Sequence, residues 1–113
     1  MKHLLIILSF LLLSSLLTSC EKKEEILYLW NTSSGFKWEK IGDKNSNPRY
    51  KGEVKREYII FGNYKPEGLG SLTETNGKRF VGEWKNGWIW KGGEYTKNGK
   101  ILYKWVKGKR IKQ

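Results

Sequence analysis

The sequence predicts an all-β fold, a small sheet of antiparallel hairpins. Aromatic and β-branched residues alternate with lysine and other polar residues along several short stretches, which is the period-two pattern of strands with one buried face. Asn-Gly pairs at 76–77 and 98–99 separate such stretches, and this dipeptide is a strong signal for a hairpin turn. The chain after residue 25 contains no convincing amphipathic helix.

The first two strands flank a turn of small polar residues at 31–35, and a polar loop at 42–48 precedes the third. Phe80, Gly82 and Trp84 share one face of the fifth strand. Ile101, Tyr103 and Trp105 share one face of the last strand, opposite lysine. The predicted strands, in chain order, are 26–30, 36–41, 50–61, 69–75, 78–85, 93–97 and 101–106.

Residue content argues against an enzyme. The 113 residues include one histidine and one cysteine, His3 and Cys20, both near the N-terminus. An internal disulfide, a Ser-His or Cys-His pair and a zinc site are therefore excluded from the remaining chain. Glu53 and Glu83 occupy the same predicted solvent-facing position of two strands, where surface ion pairs are a better interpretation than catalytic carboxylates. We expect no catalytic residue, metal or cofactor.

The N-terminus has the pattern of a secretory signal. Lys2 precedes an apolar run over residues 4–17, which ends abruptly at the charged residues 21–25. At about 14 residues the run is short of the roughly 20 that a helix needs to span a bilayer. A buried core helix does not fit, because the run is apolar on all sides and ends abruptly, so the alternative to a signal is an uncleaved membrane anchor.

The end of this run, Leu17-Thr18-Ser19-Cys20, resembles the lipobox of bacterial lipoproteins. The resemblance implies that residues 1–19 are a lipoprotein signal peptide and that Cys20 is the lipid attachment site, with fatty acids such as palmitate as the membrane anchor. Residues 20–25 then form a lipidated, charged tether. Location in the cell envelope follows, and Glu21 in place of Asp favours the outer membrane over the inner membrane.

A weak repeat of 23 residues runs through the chain, with Trp38, Phe61 and Trp84 as one series. The segment 80–87, Phe-Val-Gly-Glu-Trp-Lys-Asn-Gly, resembles the motif of MORN repeats, and Tyr50-Lys51-Gly52 resembles its start. The resemblance implies stacked β-hairpins over residues 50–106, with 26–49 as a degenerate N-terminal cap and 107–113 as a basic tail. The motif residues, expected to be structural, are Tyr50, Gly52, Gly68, Gly70, Phe80, Gly82, Trp84, Gly87 and Gly93.

Positive charge is concentrated in the C-terminal third. The whole chain has a net charge of +11, and residues 78–113 hold eleven Lys or Arg against two Glu. This pattern indicates either a solvated face or a surface for anionic lipid or polymer. Trp88 and Trp90, in a predicted loop, belong either to such a contact or to the core. The candidate anion or lipid contacts are Lys97, Lys100, Lys104, Lys107, Lys109, Arg110, Lys112, Trp88 and Trp90.

Two function classes fit these patterns. The first is a membrane-anchored, non-catalytic binding or scaffold module, because the MORN resemblance implies contact with protein or phospholipid. The second is a module that binds a polyanion, such as acidic polysaccharide, lipopolysaccharide or nucleic acid, through the basic C-terminal half. Secretion argues against intracellular nucleic acid. The identity of the partner and the oligomeric state stay open.

Overall fold

The computed structural model describes residues 23–56 and 63–113, which form one eight-stranded antiparallel sheet in the order β2-β1-β3-β4-β5-β6-β7-β8. These residues contain no helix, so the predicted all-β fold of antiparallel hairpins is confirmed. The lipobox and Phe61 lie outside the described residues. The strands are β1 (Lys23–Thr32), β2 (Gly35–Glu39), β3 (Arg49–Arg56), β4 (Tyr64–Thr73), β5 (Arg79–Lys85), β6 (Trp88–Tyr95), β7 (Ile101–Val106) and β8 (Lys109–Lys112).

Strands β3 to β8 follow one another across the sheet, whereas the β1–β2 hairpin is attached in reverse, with β1 beside β3. The first half of β1 pairs with β3 and the second half with β2. The segment 40–48 returns the chain to β3 and is fixed to β1, because Asn47 Nδ2 donates to the Leu29 carbonyl at 3.1 Å and Leu29 N–H donates to the Pro48 carbonyl at 3.0 Å. These hydrogen bonds fix the loop against β1, and β2 is an edge strand of the sheet.

Two tight turns explain why the C-terminal strands extend further than predicted. Asn86 and Gly87 have φ values of 54° and 83°, and Lys107 and Gly108 have 49° and 79°. Two consecutive residues with positive φ are the geometry of a two-residue hairpin turn, which matches the twist of the flanking strands. The first turn starts β6 at Trp88, so Trp88 and Trp90 lie in a strand rather than in the predicted loop.

The predicted turns at Asn76-Gly77 and Asn98-Gly99 exist, with a geometry that differs from the two-residue type. Only the glycine of each pair has positive φ, 90° in both cases. Gly77 N–H donates to the Glu74 carbonyl at 3.0 Å, and Gly99 N–H donates to the Thr96 carbonyl at 2.9 Å. Each connection is therefore a four-residue turn that ends in a left-handed glycine.

The structure corrects the predicted bounds at both ends of the sheet. Lys23 already pairs with Val54 of β3, so β1 begins inside the segment predicted as a charged tether. Its charges do not prevent pairing, because the Glu25 carboxylate lies 3.5 Å from Lys23 Nζ and 3.7 Å from Lys40 Nζ. Most of the predicted basic tail forms β8, since the turn at Lys107 returns the chain along β7.

Candidate functional site

A cluster of edge-to-face aromatic rings forms the centre of the core on one face of the sheet. Trp84 lies 5.1 Å from Tyr50, 5.3 Å from Phe80 and 5.8 Å from Trp38, centroid to centroid. The motif residues Tyr50, Phe80 and Trp84 are all nearly fully buried. Trp38, from β2, also lies 5.9 Å from Tyr50, so the terminal hairpin folds its tryptophan onto this cluster. Edge-to-face geometry is favourable for ring quadrupoles.

A row of four glycines crosses the sheet next to these rings. Gly52 pairs with Gly70, Gly70 with Gly82, and Gly82 with Gly92. A Cβ at Gly70 would overlap the Tyr50 ring, and a Cβ at Gly82 would overlap the Lys91 carbonyl oxygen. The row therefore lets the aromatic rings and neighbouring strands approach closely, as expected for the predicted motif glycines.

The fourth glycine of this row differs from the prediction. The predicted 23-residue repeat matches Gly70 with Gly93 and so assigns the position to Gly93. Gly92 occupies it, and a Cβ at Gly92 would lie 2.9 Å from Phe80 Cζ. A Cβ at Gly93 would instead lie 2.7 Å from the Tyr95 hydroxyl oxygen. Gly70 and Gly92 are 22 residues apart, whereas Phe80 and Tyr103 are 23 residues apart. The second spacing is one residue longer because β7 carries an extra residue. Glu94 pairs with Tyr103, whereas the adjacent Tyr95 pairs with Ile101, which leaves Leu102 as a bulge.

Glu53 also departs from its predicted surface role. The register between β3 and β4 is irregular after Gly52, and Glu53 is buried there. Its carboxylate accepts a hydrogen bond from Leu69 N–H at 2.8 Å, while its backbone carbonyl accepts one from the Tyr50 hydroxyl. The bulge turns this side chain inward, so Glu53 and the exposed Glu83 do not share an environment.

An apolar groove with a volume of about 900 Å³ lies along the face that carries the aromatic cluster. Leu29, Phe36, Leu72 and Ile89 contribute to its walls. Phe36 is 64% exposed. Five of the six tryptophans line the groove, namely Trp38, Trp84, Trp88, Trp90 and Trp105. We call this feature the tryptophan groove.

The tryptophans of the groove differ in how firmly they are held. Trp84 is buried, and its Nε1–H donates to the Gly70 carbonyl at 3.2 Å. Trp105 Nε1–H donates to Glu94 Oε1 at 2.7 Å. Trp90 is partly buried, and its ring lies 4.5 Å from Lys85 Nζ. Trp88 is 69% exposed, and exposed indole of this extent is available for contact with a ligand.

Positive charge surrounds Tyr64, which also lines the tryptophan groove. Lys23 Nζ donates to the Tyr64 hydroxyl at 2.9 Å, and Arg56 donates to it at 3.0 Å. Lys40 Nζ lies 4.5 Å from the centre of the Tyr64 ring. These three cations come from β1, β3 and the loop after β2, so the fold brings together charges that are far apart in sequence. Tyr64, Lys23, Lys40 and Arg56 are called the tyrosine cluster.

This environment changes the acidity of two tyrosines in opposite directions. The hydrogen bond from Lys23 lowers the pKa of Tyr64 below its ordinary value, and the bond from Arg56 acts in the same direction. Burial raises the pKa of Tyr50 well above its ordinary value, and the Glu53 carboxylate adds to this effect. The hydroxyl of Tyr64 therefore loses its proton more readily than that of Tyr50.

Alkaline titration should separate the two groups. Tyr64 should ionise below pH 10 while the sheet is folded, because its pKa is lowered, and Tyr64→Phe should remove that early phase. Tyr50, with a raised folded pKa, contributes stability below the unfolded-state pKa of about 10. That contribution is lost as the pH rises further. The absorbance of tyrosinate and the unfolding midpoint, measured against pH, test both statements, and an unchanged early phase in Tyr64→Phe would contradict the first.

The predicted anion contacts of the C-terminal third do not form one patch. The register places Arg110 on the face of Trp105 and Lys104 on the opposite face, with Ile111. Arg110 forms an ion pair with Glu94 at 3.2 Å, and its guanidinium lies 3.5 Å from the centre of the Tyr103 ring. Lys97 and Lys100 flank the Gly99 turn, Lys107 is in the turn before β8, and Lys109 and Lys112 lie in β8.

The sequence did not single out Tyr64, Trp105 or the cations of the tyrosine cluster as site residues. No three His, Cys, Asp or Glu side chains gather as a metal site within residues 23–56 and 63–113, and no helix there is long and apolar enough to cross a membrane. No protein-family model matches the chain, and neither the curated proteins nor the solved structures include a significant match to it.

Proposed function

We propose that the chain is a non-catalytic binding module of the bacterial cell envelope, anchored by lipid on Cys20, and that its ligand binds in the tryptophan groove. The observation that carries the binding role is the groove itself. Its volume of about 900 Å³ falls in the range of ligand sites, and Phe36 and Trp88 offer mostly exposed aromatic surface at it. Apolar surface of this kind is a liability for a soluble domain unless it serves contact with another molecule.

The lipid anchor is supported by position as well as by motif. Cys20 precedes Lys23, the first residue of β1, by three residues, so an anchor there would hold the sheet close to the bilayer surface. Two or more acyl chains give stable membrane attachment, at about 0.8 kcal/mol for each buried methylene. A lipidated cysteine is therefore sufficient to keep this basic domain at a membrane.

A MORN-like repeat organisation is part of the proposal. The spacing from Gly70 to Gly92 equals that from Gly77 to Gly99, 22 residues in both cases, which supports two equivalent hairpin units. In each unit a glycine of the central row precedes a four-residue turn. The longer spacing from Tyr50 to Phe80 is consistent with a first unit that carries an insertion.

Replacement of Cys20 tests the anchor. Cys20→Ala should abolish incorporation of radioactive palmitate and release the protein from the membrane fraction, because no other residue of the chain carries a thiol. Ser19→Ala keeps a small residue before the cysteine and should remain labelled. Labelling of Cys20→Ala at the level of the unmodified chain would contradict the anchor.

Cosedimentation with vesicles tests how much the sheet itself contributes. Residues 21–113, without lipid, are mixed with anionic or zwitterionic vesicles at low and high salt. Binding only to anionic vesicles, with loss at high salt, would assign the contact to surface lysines and favour the polyanion alternative. The proposal predicts that most membrane attachment depends on Cys20, and thus only weak cosedimentation of the unlipidated sheet.

A further inference from the structure

We infer that the tryptophan groove binds a single-chain amphiphile with an anionic headgroup, with the chain against the indoles and the headgroup at the tyrosine cluster. The inference rests on the proposed binding role and specifies its ligand. One residue connects the two parts of the site, because Tyr64 lines the groove and also receives hydrogen bonds from Lys23 and Arg56. An apolar groove that meets a cationic cluster matches a molecule with the same two parts.

The groove favours an acyl chain over a polar polymer. Its walls combine five indoles with aliphatic side chains such as Leu72 and Ile89. Among the described residues that line it there is no carboxylate, and the charged side chains are the lysines Lys37, Lys65 and Lys85. Flexible methylene chains fill irregular apolar surfaces of this kind, and each buried methylene adds to affinity.

The charge at the tyrosine cluster favours an anion. Lys23, Lys40 and Arg56 bring three positive charges to one ring, with centroid distances of 4.8, 4.5 and 5.0 Å. Lys23 and Lys40 share one carboxylate, that of Glu25, which lies 3.5 Å from Lys23 Nζ and 3.7 Å from Lys40 Nζ. Because two lysines share one carboxylate, a phosphate or carboxylate placed beside them would add negative charge and accept charge-assisted hydrogen bonds.

The shape of the groove favours one molecule over a bilayer surface. Residues of β1, β2 and β4 to β7 line it, and Trp38 of β2 packs against the turn before β6, where a Cβ at Gly87 would lie 3.5 Å from Trp38 Nε1. The lining residues therefore come from several strands and turns instead of from one strand. We commit to one ligand class, a monomeric single-chain amphiphile with a phosphate or carboxylate headgroup, which enters the groove singly.

Binding of decyl phosphate to residues 21–113, which include every described groove residue, tests the inference. Tryptophan fluorescence reports binding directly, with the amphiphile kept below its micellar concentration, after circular dichroism has shown the folded sheet. We expect decyl phosphate to bind at least about tenfold more tightly than decanol. Affinity should rise by up to about fourfold per methylene from octyl to dodecyl phosphate. Equal affinity for decanol, no dependence on chain length, or no saturable binding would overturn the inference.

Three variants separate the two parts of the site. Lys40→Gln, at an exposed loop position, should weaken the binding of decyl phosphate but leave that of decanol unchanged. Trp88→Ala should weaken the binding of both. Lys109→Gln removes an equal charge from β8 and should change the affinity for neither ligand. An equal loss of affinity for decyl phosphate in Lys109→Gln would show that only net charge matters and would contradict the inference. Inorganic phosphate alone should show no saturable binding. Retained palmitate labelling with no amphiphile binding would overturn this inference and leave the proposed anchor standing.

Discussion

Gly82→Val should destabilise the sheet by about 3 kcal/mol and lower its Tm by roughly 12–24 °C. Gly82 is in the middle of the glycine row, and an added Cβ would overlap the Lys91 carbonyl oxygen and approach Gly92 Cα at 2.7 Å. Both are backbone atoms of β6, so the strand must move away and its pairing with β5 is disrupted. The loss is a substantial fraction of the roughly 5–15 kcal/mol that stabilises a typical domain.

Gly99→Val is the matched control for this substitution. Gly99 has a φ of 90°, but no atom lies within 4 Å of an added Cβ. Valine there carries the conformational cost of a left-handed backbone, about 1–2 kcal/mol, without a steric clash. Thermal unfolding of both variants, followed by circular dichroism, separates the cost of the steric clash between strands from the conformational cost. A Gly82→Val protein no less stable than Gly99→Val would contradict the predicted clash.

Trp84→Ala should cost about 3–5 kcal/mol and lower Tm by roughly 12 °C or more. The indole is 4% exposed and packs edge-to-face against Tyr50 and Phe80, so alanine leaves a cavity at the centre of a thin core. The Gly70 carbonyl also loses the hydrogen bond from Trp84 Nε1–H. Because the sheet is a single layer, few other side chains are placed to fill the space.

Trp88→Ala tests whether this effect depends on burial. The two residues lie on either side of the Asn86-Gly87 turn, but Trp88 is 69% exposed, so its truncation should change stability by no more than about 0.5 kcal/mol. Chemical denaturation gives both values on one scale. Similar losses in the two variants would show that Trp84 is not central to the core.

Sequence reasoning identified the all-β fold, most strands and the core residues Tyr50, Phe80 and Trp84, because these depend on local pattern. Alternation over residues 80–84 placed Phe80 and Trp84 on the buried face, as the structure confirms. The dipeptide Asn86-Gly87 carries the same turn signal as the other two Asn-Gly pairs, and it would have placed Trp88 in a strand had it been used. Strand β8 was missed because Lys107-Gly108 is a weak turn signal in a run of charged residues.

Local sequence pattern could not predict the candidate site, because the site depends on strand order and on bulges. The tyrosine cluster joins Lys23 to Arg56 and Tyr64 across three adjacent strands, and the reversed order of β1 and β2 creates this neighbourhood. The inward turn of Glu53 and the shift from Gly93 to Gly92 both depend on bulges. A bulge changes which face a side chain occupies without changing composition or spacing, so alternation alone misassigns the residues beside it.

Indole N–H signals in a heteronuclear NMR spectrum of residues 21–113 test most directly whether the tryptophan groove is the binding site. Trp30 is the internal control, because its indole donates to the Ile41 carbonyl at 2.9 Å and it is not among the residues that line the groove. On addition of decyl phosphate, the signals of Trp38, Trp88 and Trp90 should shift in a saturable manner while that of Trp30 stays in place. Shifts confined to the backbone amides of residues 97–112, with all six indoles unchanged, would contradict the groove as the site.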